Sequence, residues 1–191
     1  MDWYKYNIND IKKEEYDRFF ALMEEKKRER ISRFKNIDDK KRSVCAEMLV
    51  KRAISEKCGI KIDEIVIETE DGGKPFCRNA KLQFSISHSG DYAVCAVSEY
   101  PIGIDIQKIV PYNPKTAKRV CTAAEFCEIE KSTVKDAEFI KLWTKKEAVM
   151  KMCGAGIAGA DIKNCLFGKD VITIQFSDYF VSICEEKNTD S

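Results

Sequence analysis

Four groups of residues have the types and the spacing to do chemistry. In Ile102-Gly-Ile-Asp-Ile-Gln-Lys108 the isoleucines alternate with Gly103, Asp105 and Gln107. As a β-strand, the segment has one wholly aliphatic face and one that bears a carboxylate and an amide two residues apart. Hard oxygen donors of this kind suit Mg²⁺, which is held by one or two carboxylates together with substrate phosphates. A core strand with a solvated polar face has the same pattern. In Trp143-Thr-Lys-Lys-Glu-Ala-Val-Met-Lys151, Glu147 and Lys151 stand four apart, on one face of a helix. As an exposed ion pair they would contribute a few tenths of a kcal/mol. If Glu147 instead faces Asp105, two carboxylates meet and need a cation between them, with Lys151 free to reach a phosphate.

The third group surrounds the single histidine, in Ile86-Ser-His-Ser-Gly90. At a hairpin turn, backbone and hydroxyl donors such as these can surround an anion. Neither serine lies in the glycine pattern of a nucleophile elbow, so a Ser/His/Asp hydrolase has no support. The fourth is segment 26–42, with nine basic residues in seventeen, together with the turn Gly73-Lys74-Pro75. A charge run is often a solvated face, but Ile31, Phe34 and Ile37 interrupt this one and give it the character of a structured basic surface.

These residues need elements to hold them. Residues 3–8 alternate weakly as a strand, and apolar positions from Ile11 to Met23 follow helical spacing. Asp38 is the expected N-cap of a long central helix that runs to Cys58, with Gly59 as its stop and Val44, Met48, Ala53 and Ile54 facing the core. Ile65–Thr69 reads as a strand, Asp71–Pro75 as a turn, and Leu82–Ser87 and Tyr92–Ser98 as strands joined through His88-Ser89-Gly90-Asp91. Ala93–Val97 is apolar on both faces and belongs in the middle of a sheet. Helices are expected over 115–121, 123–131 and 136–153, the last ended by Gly154 and Gly156. Strands follow at 171–176 and 180–184, with a tail that frays from Glu185.

At 191 residues and 44% hydrophobic content, the chain can bury a real core. Its 33 basic and 32 acidic residues leave a net charge of +1, which excludes a chain built overall for nucleic acid or membrane. Segment 26–42 also lacks interleaved stacking aromatics beyond Phe34, which weighs against nucleic acid. No apolar run approaches the roughly 18 residues that span a bilayer, and MDWYKYNIND has no signal-peptide core. The nine cysteines include no C-x-x-C pair, so zinc is not indicated and reduced thiols in the cytoplasm are expected.

Taken in order, GKP at 73–75, SISHSG at 85–90, GIDIQK at 103–108 and WTKKEAVMKMCGAG at 143–156 resemble the 4′-phosphopantetheinyl transferases of the larger, surfactin-type class. The basic segment and Arg119–Glu125 extend the resemblance, which covers about residues 20–160. It implies an α+β fold, a pseudo-dimer of two similar halves (1–101 and 102–191) with the cofactor cleft between them. It also implies Mg²⁺-dependent transfer of 4′-phosphopantetheine from coenzyme A to a serine of an apo acyl or peptidyl carrier protein. By family position, Asp105, Glu147 and Gln107 hold the metal, where relatives often have Glu at the place of Gln107. Lys27, Arg30 and Ser43 contact the 3′-phosphate with Arg42 close by; Gly73, Lys74 and Pro75 lie along the adenine and ribose. Ser87 and His88 hold phosphate, Lys151 meets the pyrophosphate, the general base is Glu147 (the favoured reading) or a metal-bound water, and Glu125 orients that water or the serine. An acidic carrier would dock near 112–126, and the protein is expected to act as a monomer. The amide at Gln107 leaves open a family member that binds coenzyme A without transfer.

Overall fold

A strand that is apolar on both faces is stable only when both are covered, and the segment 93–97 sets the architecture accordingly. The computed structural model describes residues 1–69, 73–154 and 161–186. In chain order the first elements are β1 (Asp2–Asn7), α1 (Lys13–Ala21), α2 (Glu25–Ser32), α3 (Ile37–Cys58), β2 (Ile67–Thr69), β3 (Pro75–Cys77), β4 (Gln83–Ser89) and β5 (Tyr92–Ser98). The others are β6 (Ile102–Lys108), α4 (Pro114–Val120), α5 (Ala123–Lys131), α6 (Lys135–Cys153), β7 (Val171–Phe176) and β8 (Tyr179–Glu185).

Strand β5 is the middle of an antiparallel sheet ordered β1-β5-β4. Its Ala93, Cys95 and Val97 pack with α3, through Leu49, Val50 and Ala53. Its other face, Val94 and Ala96, packs on Ile102, Ile104 and Ile106 of β6 and on Tyr179, Val181 and Ile183 of β8. Those strands form a second antiparallel sheet, ordered β6-β8-β7. Helix α6 covers the far side of that sheet, with Ala148, Val149 and Met152 against Cys184. The layers are therefore α3, sheet, sheet, α6.

Both halves follow one plan. A strand is followed by three helices, the third the longest, and then by two strands; the last strand inserts between the first and the other one. The small β2–β3 hairpin is an addition to the first half.

Helix ends follow local side-chain chemistry. The cap of α3 is Asn36, two residues before the expected Asp38, because the Asn36 side chain accepts from the Asp38 N–H. Gly59 and Gly154 end α3 and α6 in the left-handed region, at φ 68° and 69°, where glycine carries no Cβ penalty. Asn113 caps α4 with Pro114 at its first position, and Thr122 with Glu125 forms a capping box on α5. Among the differences from expectation, β2 starts at Ile67 and not at Ile65, and β3 has no clear signal in its three residues. Glu185 pairs with Ile102 at the end of β8, so it is ordered and not the start of a frayed tail. Residues 71 and 72 of the expected turn, Gly156, and the tail beyond 186 lie outside the described residues. All nine cysteines are free.

Gly103 fixes how closely α6 approaches the sheet. A Cβ at that position would collide with the Ala148 carbonyl oxygen and lie 2.5 Å from the Met152 nitrogen. Backbone cannot move aside as a side chain can, so Gly103→Ala is expected to cost about 3 kcal/mol, the upper end for overpacking. Thermal unfolding should show a fall in Tm of roughly 6–12 °C; an unchanged Tm would mean that α6 is not seated on this glycine.

Candidate active site

The two sheets meet along β4 and β6, each an edge strand of its own sheet. Edge strands leave backbone N–H groups unpaired, and here two of three serines on β4 take up such groups of β6. Ser85, Ser87 and Ser89 alternate on β4 and so share one face. Ser85 Oγ accepts from the Ile104 N–H at 3.1 Å and Ser89 Oγ from the Lys108 N–H at 3.1 Å. Between them Ser87 Oγ donates to Asp105 Oδ1 at 2.7 Å. This places a carboxylate, 2% exposed, in the middle of the seam.

Helix α6 brings the other charges. Lys151 Nζ donates to the same Asp105 Oδ1 at 2.7 Å and toward the Ile86 carbonyl at 3.4 Å. Lys151 is thus paired with Asp105 of the neighbouring strand β6 and not with Glu147 along its own helix. Gln107 Nε2 donates to Asp105 Oδ2 at 3.3 Å, and its Oε1 accepts weakly from Ser89. Glu147 is buried at 9% exposure, and its Oε1 is a buried oxygen without a hydrogen-bond partner. Burial pushes its carboxyl above the usual range, the Asp105 charge adds to the shift, and Lys151 opposes it. Among the described residues no three His, Cys, Asp or Glu side chains cluster as a metal site. The carboxylates of Asp105 and Glu147 nevertheless offer hard oxygen donors, and an orphaned buried oxygen beside a second acid is what a small divalent cation would satisfy.

Asp105, Gln107, Glu147 and Lys151 line a recess of about 300 Å³, together with Trp143, Ser87 and His88. Glu147, Lys151 and His88 also line a larger cavity of about 1130 Å³, above the size of ordinary small-ligand pockets. Its walls carry Lys27, Arg30, Ser43, Gly73, Lys74 and Pro75, so most residues assigned to the cofactor converge on one space. Lys74 Nζ donates to the Met152 carbonyl near the end of α6, which ties the β3 segment to the second half.

Some placements differ from expectation. His88 is in strand β4, opposite Ala93, and the hairpin turn is only Gly90-Asp91. The turn is held from three sides: Gly90 has φ 53°, Arg42 donates to its carbonyl at 2.6 Å, and the Tyr179 hydroxyl accepts from the Asp91 N–H at 3.0 Å. Arg42, also paired with Asp39 at 2.5 Å, lines neither space and supports the histidine turn instead of reaching a phosphate. Partial desolvation, then the charges of Arg42 and Lys151, hold His88 below its ordinary pKa. Ser87, expected on a phosphate, spends its hydroxyl on Asp105. Glu125, expected near the reacting serine, also lines neither space; its Oε2 accepts from the Thr122 N–H and from Lys146.

The sequence reading missed Glu47 and Lys51 on the cavity wall, buried at 3% and 2% exposure. Glu47 holds Lys27 at 2.5 Å, and Lys51 donates to the Ile65 carbonyl at 2.5 Å; burial pushes the Lys51 pKa down. The available signal was the spacing of Ser43, Glu47 and Lys51, one polar stripe at four-residue intervals along α3.

Comparison with known proteins assigns this fold to a family. Residues 10–100 match the family model described as 4′-phosphopantetheinyl transferase, N-terminal, and residues 101–188 match that of the 4′-phosphopantetheinyl transferase superfamily. The chain belongs to that superfamily, in its Sfp-like class. It is 36% identical over 135 residues to the 4′-phosphopantetheinyl transferase psf-1 of Bacillus pumilus, covering 69% of this chain and 58% of that protein. It is 32% identical over 159 residues to the 4′-phosphopantetheinyl transferase Sfp of Bacillus subtilis (strain 168), covering 80% and 70%. The L-aminoadipate-semialdehyde dehydrogenase-phosphopantetheinyl transferase of Mus musculus is 27% identical over 174 residues, covering 82% and 56%. The chain therefore spans a little over half to about two thirds of these relatives' lengths.

Glu147 should weaken the fold that it serves. A carboxyl whose folded pKa is raised keeps its proton in the folded state after the unfolded chain has lost it. Stability therefore falls as pH rises from the unfolded pKa through the folded one, and ionised Glu147 is a net cost at neutral pH. Glu147→Gln is expected to raise stability by about 1 kcal/mol in chelator at pH 7, measured by urea unfolding. The gain should vanish below the unfolded pKa of a glutamate, near 4.3. A loss of stability at pH 7 would show that the acid is paired.

Proposed function

We propose that the chain transfers the 4′-phosphopantetheine of coenzyme A to a serine of an apo acyl or peptidyl carrier protein and releases 3′,5′-ADP, with Mg²⁺ as the metal. The observation that carries this reading is the Asp105–Glu147 acid pair, with Lys151 beside it, at the mouth of a cavity walled by basic residues. Lys27, Arg30 and Ser43 suit the 3′-phosphate, the Gly73-Lys74-Pro75 strip the adenine and ribose, and His88 a phosphate oxygen. Asp105 and Glu147 would hold Mg²⁺ with the amide oxygen of Gln107, and the bound ion would supply Lewis-acid stabilisation of charge on the pyrophosphate.

The protein's own groups do the rest. Lys151 neutralises charge that develops on the leaving 3′,5′-ADP. The carrier serine oxygen bonds to the β-phosphorus as the bridging P–O bond breaks, and the serine proton passes to Glu147. Ser87 orients Asp105 through its hydroxyl, Arg42 supports the turn after His88, and Glu125 acts from outside the acid-pair recess.

The repeated order of elements and the change of family model after residue 100 support a pseudo-dimer divided into 1–101 and 102–191. A cleft complete within one chain supports action as a monomer. Nine free thiols support a reducing compartment such as the cytoplasm. Among the described residues no helix is long and apolar enough to cross a membrane.

Incubation with coenzyme A, Mg²⁺ and a panel of apo carriers should add the mass of one phosphopantetheine to a carrier serine. Binding of coenzyme A with no mass change on any carrier would favour the alternative, a binding protein without transfer, to which the uncharged Gln107 lends some weight. The exposed Lys115, Lys118 and Arg119 of α4, beside half-buried Phe126, fit the acidic surface of a carrier. Reversing Lys115 and Lys118 to Glu should raise the carrier's KM and leave coenzyme A affinity unchanged; an unaltered KM would remove α4 from the docking surface.

A further inference from the structure

Lys146 precedes the acid Glu147 on α6, yet it serves a different part of the molecule. Its side chain is 0% exposed and lines neither cavity. Its Nζ has four acceptors: Glu125 Oε2 at 2.7 Å and the carbonyls of Lys163 at 2.8 Å, Val120 at 2.9 Å and Ile162 at 3.1 Å. These come from the end of α4, the first turn of α5 and the 162–163 stretch, three pieces of chain that meet on one ammonium. Glu125 is committed twice, because the same oxygen closes the capping box of α5 on the Thr122 N–H.

Stability alone does not call for such a group. Buried ion pairs can commonly be replaced by apolar side chains of like volume with no loss. An apolar side chain cannot hold four oxygens at hydrogen-bond distance, however, so the lysine's particular contribution is geometric. The geometry concerns one flank of the site. Trp143, one turn before Glu147, lines the acid-pair recess and packs in the same apolar cluster as Tyr112, Ala117, Val120 and Phe126 of the α4–α5 region. The outer side of that region exposes Lys115, Lys118 and Arg119, and Lys118 lies 5.6 Å over the Phe126 ring.

We propose that Lys146 and Glu125 are a positioning pair that fixes the α4–α5 flank at a set distance from Glu147, so that a docked carrier presents its serine to the acid pair. The pair touches neither coenzyme A nor the reacting atoms. The inference rests on the transferase reading above and specifies where carrier recognition is built.

The test compares Lys146→Met and Glu125→Gln with wild type in the full chain, with coenzyme A affinity measured by calorimetry and carrier KM and kcat by mass-resolved transfer. Glu125→Gln keeps an oxygen for the Thr122 N–H and removes only the charge, so it remains informative if Lys146→Met does not fold. Expected are a rise in carrier KM of at least tenfold for Lys146→Met and about threefold for Glu125→Gln, with coenzyme A affinity within twofold of wild type. A lesion that is merely structural would lower coenzyme A affinity and carrier use together, and that result overturns the inference, as does an unchanged carrier KM in a folded variant. A wild type that modifies no carrier overturns the transferase reading itself, and the inference with it.

Discussion

The structure depends on two sheets whose edges meet without backbone pairing. Had β4 and β6 joined through main-chain hydrogen bonds, the halves would form one continuous sheet, and the space beside the seam would be filled by ladder. Serine hydroxyls bridge the strands instead, at Ser85, Ser87 and Ser89. This satisfies the N–H groups of Ile104 and Lys108 while leaving side-chain width between the strands. That width is where Asp105 sits, within reach of a hydroxyl from one half and an ammonium from α6. Gly103, two residues earlier on the same face, lets α6 come down close enough for Lys151 to make the contact.

Buried charge is used in two ways. Lys146, Lys51 and Glu47 are taken out of water with partners in place, and they act as braces that hold chain segments or other side chains. Glu147 is taken out of water beside another acid with one oxygen unpartnered. Buried polar groups in native proteins are nearly always satisfied, so an exception next to a like charge marks the place where the molecule meets something else. The braces lie around it, on α3, on the flank of α6 and at the turn after His88, and their stability offsets the strain that the acid pair introduces.

Much of this was legible in residue order because the signals were local. The alternation in Ile102–Lys108 gave both faces of β6, the double-sided apolar run of β5 gave its central place, and glycines marked the ends of α3 and α6. Asp105, Glu147 and Lys151 were nominated by type and spacing, and they do meet. What sequence could not give was the partner of each charge when several partners were possible. Lys151 had Glu147 at ideal helical spacing and chose Asp105 from another element. Glu125 reads as an active-site acid, and in the structure its carboxylate caps α5 and pairs with a buried lysine. Nothing in the local pattern around Lys146 says that four oxygens from distant segments converge on it. His88 was placed in a turn since Ser-Gly-Asp reads as loop, whereas hydrogen bonding across the hairpin extends β4 to Ser89.

The plan shared by the two halves bears on the lopsidedness of the cleft. Each long helix carries a glutamate and a lysine four residues apart, Glu47 with Lys51 on α3 and Glu147 with Lys151 on α6. On α3 both charges are quenched, by Lys27 and by the Ile65 carbonyl. On α6 the glutamate is left raw. A dimer of two identical subunits must present the same surface from both sides of its axis, so it could not silence one acid and keep the other reactive. Two halves carried on a single chain are free to differ, and here one long helix has its glutamate paired and the other does not. A substrate that is itself unlike at its two ends can then be met by a cleft that is unlike at its two walls.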